Sequence, residues 1–332
     1  MKAAYINEYG GPSKLMIGDR PLPKIGPHDL MVQVKAASIN PVDYKIRAGK
    51  LKVMTEYSMP LILGQDLSGV VLETGSKVTR FKPGDSIFAR LDKSAIGSFA
   101  QYAAVRDSDA AIKPVNLSHI EAASIPLVGL TAWQVMRDIA GLKAGQTALI
   151  HAGSGGVGTF AIQLAKYLSA TVATTVGARN VDLVKRLGAD IVIDYKSQRF
   201  DAVLKDVDFV FDTQGGDTLL RSIGITRRGG SVITIGGIPT PHVMQEWGLA
   251  KWKQWLAAAL TYKARSRATA RGVKFDYHFM SPSGAQLGAI AALLEEKRIV
   301  PVVDKVFSLD QAREAFEYAE AGHAVGKTVI TP

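Results

Sequence analysis

Six residues in the middle of the chain, Gly153-Ser154-Gly155-Gly156-Val157-Gly158, have the size and spacing to bring backbone N–H groups up to a phosphate. The run leaves an apolar segment, 147–152, that reads as a strand, and it enters an amphipathic helical stretch over about 157–168. In that strand–turn–helix context Gly153 permits the tight turn, Gly155 lets a pyrophosphate approach the main chain, and Gly158 lets helix and strand pack closely. The N–H groups of Gly156 and Val157 at the helix start have no intrahelical acceptor and favour an anion. Ser154, Gly155, Gly156 and Val157 are therefore expected to hold a dinucleotide phosphate. A purely structural glycine turn is the other reading.

The end of the next strand discriminates between dinucleotides. A ribose 2′-OH is usually met there by Asp or Glu. This chain has Thr174-Thr175-Val176-Gly177-Ala178-Arg179-Asn180, with no acid and one guanidinium. A carboxylate would repel a 2′-phosphate, whereas arginine binds it in a bidentate way. Such charge-assisted bonds contribute about 1.5–3 kcal/mol, roughly a 10- to 150-fold preference for NADP over NAD. An ordinary surface role for Arg179 is the rival. Further on, Thr213-Gln214-Gly215-Gly216 ends a sheet strand at the edge where such folds bind ligands, so Gln214 is a candidate ribose contact, against a simple turn.

These residues need elements to position them. The 332 residues suffice for two domains, and 47% hydrophobic with 21% charged residues is ordinary globular composition. The first third is strand-and-turn text with Gly/Pro punctuation, which suggests a small β domain. The middle alternates apolar strands (147–152, 171–176, 191–194, 209–212, 231–235) with helices, the pattern of a parallel sheet. Ser118 stands three residues before Glu121 as a capping box. After Pro239 about 30 helical residues interrupt the pattern. A strand over 273–280, a helix over 284–297, a strand over 302–307, a helix over 310–320 and a closing strand over 327–331 follow. The expected architecture is α/β: a β domain from residues 1–124 completed by 282–332, and a doubly wound parallel sheet over 125–281 carrying a basic helical insertion at about 243–271.

The chain has no cysteine, which removes disulfides, thiolate nucleophiles and every cysteine-liganded metal site. The opening residues read as a strand and lack the apolar core of a signal peptide, so a cytoplasmic protein is expected.

Taken in order, the motifs Asn40-Pro41-Val42-Asp43, Gly64-Gln65-Asp66-Leu67-Ser68-Gly69-Val70, Gly84-Asp85, Gly129-Leu130-Thr131-Ala132, the glycine turn, Leu187-Gly188-Ala189-Asp190 and Phe211-Asp212 resemble the medium-chain dehydrogenase/reductase superfamily. The match is to its zinc-independent quinone oxidoreductase and alkenal/enone reductase branch. The resemblance implies a GroES-like β domain, a Rossmann domain, a nicotinamide in the cleft between them, and homodimers. It implies that Asn40 and Thr131 lie near nicotinamide and substrate, that Gly177, Arg179 and Tyr195 lie near the 2′-phosphate, and that the Ile235-Gly236 turn lies at the nicotinamide end. Zinc-using relatives carry Gly-His-Glu where this chain has Gly64-Gln65-Asp66, so no metal is expected. Two departures stand out. Similar quinone oxidoreductases often have tyrosine where this chain has Leu51, and tend to have lysine at the position of Val181.

Without a metal, an enolate or quinol oxyanion must be stabilised by hydrogen bonds. Asn40 is expected as a polar donor near the carbonyl, with Thr131 ordering the ring or substrate. Tyr57 and Tyr44 are candidate acids, solvent being the alternative. Asn40 could instead hold the Pro41 turn, Asp43 reads as a structural acceptor, and His151 reads as a satisfied core residue. Gly326-Lys327 reads as a turn before the last strand. The expected function is hydride transfer from NADPH to a small quinone or α,β-unsaturated carbonyl substrate. Another activated alkene (an acyl thioester or halogenated acrylate) is the alternative. A non-enzymatic NADPH sensor or nucleic-acid-associated protein is the more distant rival.

The formal charge is +10, and residues 244–274 supply +6 of it, with seven Lys and Arg against Glu246. In the same segment Leu249, Trp252, Leu256 and Leu260 recur at helical spacing, flanked by Trp247 and Trp255. Packing of this apolar stripe on the body or on a second subunit is the expectation. A substrate-entrance lining and contact with an anionic membrane are the alternatives.

Overall fold

The computed structural model describes residues 1–52 and 54–332, which divide into two compact units, 1–130 with 281–332 and 131–280. The helix Pro126–Trp133 carries the chain from the first to the second.

In the first unit a seven-stranded sheet is centred on Asp29–Ser38, which pairs antiparallel with Asp66–Thr74, Tyr102–Arg106 and the C-terminal strand Lys327–Thr331. Strands Lys2–Ile6, Met16–Asp19 and Leu61–Ile62 form a second, three-stranded sheet. Alternation along Asp29–Ser38 buries Leu30, Val32, Val34 and Ala36, and the core around them includes Leu67, Ile87, Phe99 and Phe316. The return of the C-terminal strand is the one expected from the sequence. The capping box at Ser118 is formed: Ser118 Oγ accepts from the Glu121 N–H at 3.2 Å and Glu121 Oε2 from the Ser118 N–H at 2.8 Å.

Register sets the position of the polar groups in this unit. Ser38 faces Asp66, Asp66 faces Arg90, and Val329 faces Ser38, so one row of buried polar side chains crosses several strands at the same end of the sheet. The turn expected at Pro41 is the start of a helix, Pro41–Arg47, entered through Asn40. Proline at the first helical position lacks only an N–H that would be unpaired there anyway, and Asp43 Oδ2 reaches back to accept from the Asn40 N–H at 2.8 Å.

The second unit contains a six-stranded, wholly parallel sheet. In spatial order its strands are Ile191–Asp194, Thr171–Val176, Thr147–Ile150, Val207–Asp212, Thr226–Thr234 and Lys274–Tyr277. In order of appearance that is 3-2-1-4-5-6, the doubly wound order whose direction reverses between Thr147–Ile150 and Val207–Asp212. Ligands of such sheets bind beyond the strands' carboxyl ends at that reversal, which here is the glycine turn and residues 213–216. The helix Gly156–Tyr167 buries Phe160, Ile162 and Leu164. Between the fifth and sixth strands lie helices Pro241–Glu246 and Lys251–Arg271.

The long insertion helix corrects one expectation. It does pack on the body, but through Ala257, Thr261, Ala264 and Ala268, which are buried. The stripe marked by Trp252, Leu256 and Leu260 points outward at 62%, 52% and 57% exposure. Small side chains allow the close helix-to-body approach that indole and leucine side chains would prevent, so shape outweighed hydrophobicity in choosing the packed face.

His151 is a core residue. Ser222 Oγ donates to the Thr218 carbonyl at 2.8 Å, which leaves it accepting from His151 Nε2 at 2.9 Å, and His151 Nδ1 then accepts from Thr175 Oγ1 at 3.1 Å. Thr175 Oγ1 in turn accepts from the Ala152 N–H at 3.2 Å, where the backbone enters the glycine turn with a φ of 53°. Burial first, and the Arg221 charge second, lower the imidazole to about 4. With an unfolded value near 6.5, the unfolded state binds the proton more tightly, so this contribution to stability is complete above pH 6.5 and is lost as pH falls towards 4. The loss is about 3 kcal/mol. His151→Gln is expected to flatten the acid limb of the denaturant-midpoint profile between those values; an unchanged slope would refute the neutral-imidazole assignment.

Candidate active site

The glycine turn is a close-packed junction. A Cβ on Gly158 would lie 2.3 Å from the Ala152 carbonyl oxygen and 2.7 Å from Gly153 Cα, and one on Gly153 would lie 2.2 Å from Thr174 Oγ1. Any side chain at these positions would therefore push helix from strand. At Gly155 the nearest atom to such a Cβ is 3.4 Å away, which leaves the turn open where an anion would approach. Gly155 is the residue before the first helical turn, and no side chain caps the N–H groups that follow. The turn thus offers what a pyrophosphate requires: uncapped donors, positive helix-end potential and an unobstructed approach. Ser154, Gly155, Gly156 and Val157, selected from sequence, all lie in it.

The neighbouring corner is tied to the turn by Asn180, whose Nδ2 donates to Ser154 Oγ at 3.1 Å. Gly177 ends the strand Thr171–Val176 and is followed by a short 3₁₀ turn, Ala178–Asn180. Tyr195, 61% exposed, places its ring about 3.7 Å from where a Gly177 Cβ would be. Arg179 is exposed and has no protein partner among the described residues; Asp182, on the next helix, does not pair with it. Gly177, Arg179 and Tyr195 are therefore brought to one corner beside the glycine turn.

On the other side of the reversal, one buried carboxylate organises two turns. Asp212 accepts from the N–H groups of Gln214 (3.1 Å) and Gly215 (2.9 Å) and from Thr234 Oγ1 (2.7 Å), and Thr234 Oγ1 also accepts from the Gly236 N–H at 3.1 Å. Burial raises the Asp212 carboxyl, opposed by these bonds. A Cβ on Gly236 would sit 3.0 Å from the Thr213 carbonyl oxygen, so the backbones carrying Gln214 and Gly236 are in direct contact. Ile235 and Gly236 are thus together with Gln214, as one ligand edge. Asp212 and Thr234 were not picked out as site residues from sequence; an Asp closing an apolar strand before Thr-x-Gly-Gly was the available signal.

The residues expected to handle substrate are distributed differently. Asn40, Tyr44 and Tyr57 belong to the first unit, and Thr131 belongs to the second, buried in the helix Pro126–Trp133. Asn40 does not serve as the free donor expected of it. Its Oδ1 accepts from Lys327 Nζ at 2.6 Å, and its Nδ2 donates to Asp66 Oδ2 at 2.8 Å and to the Ser38 carbonyl at 3.3 Å. At 1% exposure the amide is spent inside the protein. Lys327, the first residue of the expected closing strand, is buried, and its ammonium also donates to the Ile39 carbonyl at 2.5 Å.

Around them Asp66 accepts from Ser38 Oγ and the Leu127 N–H, and lies 4.0 Å from Arg90 Nε. Two carboxyls, Asp43 and Asp66, thus offset two cations, Lys327 and Arg90, with all four out of water. Burial raises both carboxyls and lowers both cations, each shift being opposed by the opposite charges nearby.

Tyr57 is half-buried and pushed up to about 12, chiefly by burial, so its phenol keeps its proton throughout the neutral range. Tyr44 is raised for the same first reason. Several polar atoms in this region have no hydrogen-bond partner among the described residues: Gln65 Nε2 and Oε1, Asp43 Oδ1, Arg90 Nε and Ser98 Oγ. Gln65 is 1% exposed, and leaving a buried polar group unmatched costs about 1–3 kcal/mol. Sequence reading placed Gln65 only as the residue standing where zinc-using relatives have histidine. Among the described residues no group of three or more His, Asp or Glu side chains is arranged to hold a metal ion.

Comparison with known proteins agrees with this geometry. Residues 26–115 match the alcohol dehydrogenase GroES-like domain, and residues 187–330 match a domain described as a zinc-binding dehydrogenase. The mitochondrial NAD(P)H oxidoreductase of Bos taurus is 36% identical over 99% of this chain and 89% of its own. The chloroplastic NADPH-dependent alkenal/one oxidoreductase of Arabidopsis thaliana is 32% identical over 100% of this chain and 80% of its own. The quinone oxidoreductase of Coxiella burnetii superposes with a TM-score of 0.86 at 32% identity, covering 100% of this chain and 99% of that one. These relatives overturn the expected cytoplasmic location, since the sequence relatives are mitochondrial and chloroplastic proteins. The expectation had rested on the missing apolar core of a secretory signal, which says nothing about other cellular addresses. The chain is an oxidoreductase with a site for a nicotinamide cofactor, and it belongs to the quinone and alkenal oxidoreductase branch of the medium-chain dehydrogenase/reductase superfamily.

Proposed function

We propose that the chain is an NADPH-dependent reductase that delivers a hydride to a quinone or an α,β-unsaturated carbonyl compound. The observation that carries the cofactor choice is Arg179, an exposed and unpaired guanidinium at the end of the second strand, tied through Asn180 to the phosphate turn. A 2′-phosphate would give it the bidentate partner that it lacks, and the usual ribose-binding carboxylate is missing from residues 174–180. The substrate class is supported by relatives that act on alkenals, enones and quinones. When bound, the nicotinamide supplies the hydride; the protein contributes position and polarity.

With Asn40 committed to Lys327 and Asp66, the donor that meets the developing oxyanion is Gln65, a neutral amide with both heteroatoms uncommitted. Lys327, Asp66 and Arg90 hold the surrounding backbone, and a pinned Asn40 fixes the entry to the helix Pro41–Arg47. Tyr57, holding its proton through neutral pH, is a weak acid, which favours solvent as the source of the final proton.

Arg179→Ala is expected to lower the ratio of kcat/KM for NADPH over NADH by roughly 10- to 150-fold, the value of a charge-assisted phosphate contact. An unchanged ratio would remove the arginine from the site. For Gln65→Leu, steady-state assays on quinones, short alkenals and cyclic enones are expected to show kcat reduced about 100-fold, the scale of losing one oxyanion donor. Stability should hold or rise, because an unmatched buried amide has been replaced by an apolar group of similar size. Full activity in that variant would show that Gln65 does not touch the reacting oxygen, and wild-type protein inert across the whole panel would contradict the substrate class.

A further inference from the structure

The face of helix Lys251–Arg271 turned away from the body carries Trp252, Trp255, Leu256, Leu260 and Tyr262, exposed at 62%, 74%, 52%, 57% and 66%. At 3.6 residues per turn they form one stripe, on the side opposite the buried Ala257, Thr261, Ala264 and Ala268. A contiguous exposed apolar stripe of this kind marks a contact surface rather than scattered surface hydrophobicity. Its surroundings are wholly basic: no Asp or Glu occurs between Lys251 and Arg271. Arg265 folds back onto Ala258 and Thr261, and Arg271 and Lys274 reach backbone carbonyls, which leaves Lys251, Lys263 and Arg267 exposed and Lys253 beside the Trp252 ring. Glu246, the acid that precedes the helix in sequence, contacts His242 at 3.1 Å.

We infer that this face docks the protein on an anionic lipid surface. Indole and leucine side chains bordered by Lys and Arg suit the boundary between headgroups and acyl chains, where the apolar side sinks about 5–10 Å and the cations meet lipid phosphate. The charge pattern argues against a second copy as the occupant, because twofold pairing of one face sets the same cations against themselves. It argues against nucleic acid too, since a stripe containing Leu256 and Leu260 offers nothing to a phosphodiester backbone. The contact lies on the surface: among the described residues no helix is long and apolar enough to cross a membrane. It is independent of the cofactor assignment, for none of these residues belongs to the phosphate turn.

Co-sedimentation of the full chain with vesicles of phosphatidylcholine, and with vesicles of equal parts phosphatidylcholine and phosphatidylglycerol, tests this. Binding is expected to the anionic vesicles only and to weaken with salt. Trp252→Ser with Trp255→Ser should lower the partition coefficient at least about tenfold, and Lys251→Gln with Lys263→Gln should lower it about fivefold per side chain removed. All four positions are exposed, so the thermal unfolding midpoint should stay put in both double variants. The inference is overturned by no binding to anionic vesicles, by equal binding to both compositions, or by binding that survives the tryptophan replacements. It is also overturned if those replacements abolish a dimer in sedimentation velocity, which would assign the face to a second copy.

Discussion

The close approach of one helix start to one strand end governs the second unit. Gly158 sits where any side chain would meet the Ala152 carbonyl, Gly153 sits where any side chain would meet Thr174, and Ala152 between them takes a positive φ. That contact cannot be relaxed without lifting the helix, and the helix supplies the uncapped N–H groups. The hydrogen-bonded chain from Ala152 through Thr175 and His151 to Ser222 then fixes the strand side of the junction against the sheet and against helix Gly216–Ile225. A buried neutral imidazole serves well here, because one nitrogen donates while the other accepts and neither needs water. The uncapped helix start is therefore built into the packing.

In the first unit the organising constraint is electrostatic. Strand register puts Ser38, Asp66 and Arg90 in one row, and the returning C-terminal strand adds Lys327 beside Asn40. Charges taken out of water persist only when each is matched, and removing one partner leaves the rest uncompensated at a cost of about 3–5 kcal/mol. An arrangement of this kind gives little net stability, but it holds the backbone on either side of Asn40 and Asp66 in a single conformation. Gln65, next in sequence to Asp66 yet outside the charged set, has both amide heteroatoms without a hydrogen-bond partner among the described residues.

How much of this was legible in the sequence depended on range. The glycine turn, the Ser118 capping box and the alternation of strands and helices are written within a dozen residues, and they appear where local physics puts them. Arg179 is singled out by an acid missing from the end of a strand, and Tyr195 by family resemblance alone. What escaped was set by contacts between distant segments. A lysine opening a strand ordinarily faces water, and nothing local reveals that Lys327 is buried against Asn40. The helix Pro41–Arg47 was hidden behind Pro41, although Asn40-Pro41-Val42-Asp43 has proline and an acid where a first turn accepts them. The insertion helix shows its periodicity plainly, but hydrophobicity alone does not tell which face meets the body. The alanine and threonine positions had the better claim, because they allow two helices to approach.

On the function proposed above, a bare helix start and an adjacent unpaired guanidinium select a 2′-phosphorylated dinucleotide. Isothermal titration of the purified chain with NADPH and with NADH tests it without reference to any substrate. The account predicts saturable NADPH binding at one site per chain, tighter than NADH by one to two orders of magnitude at moderate salt. Equal affinity for the two, or no heat with either, would contradict it.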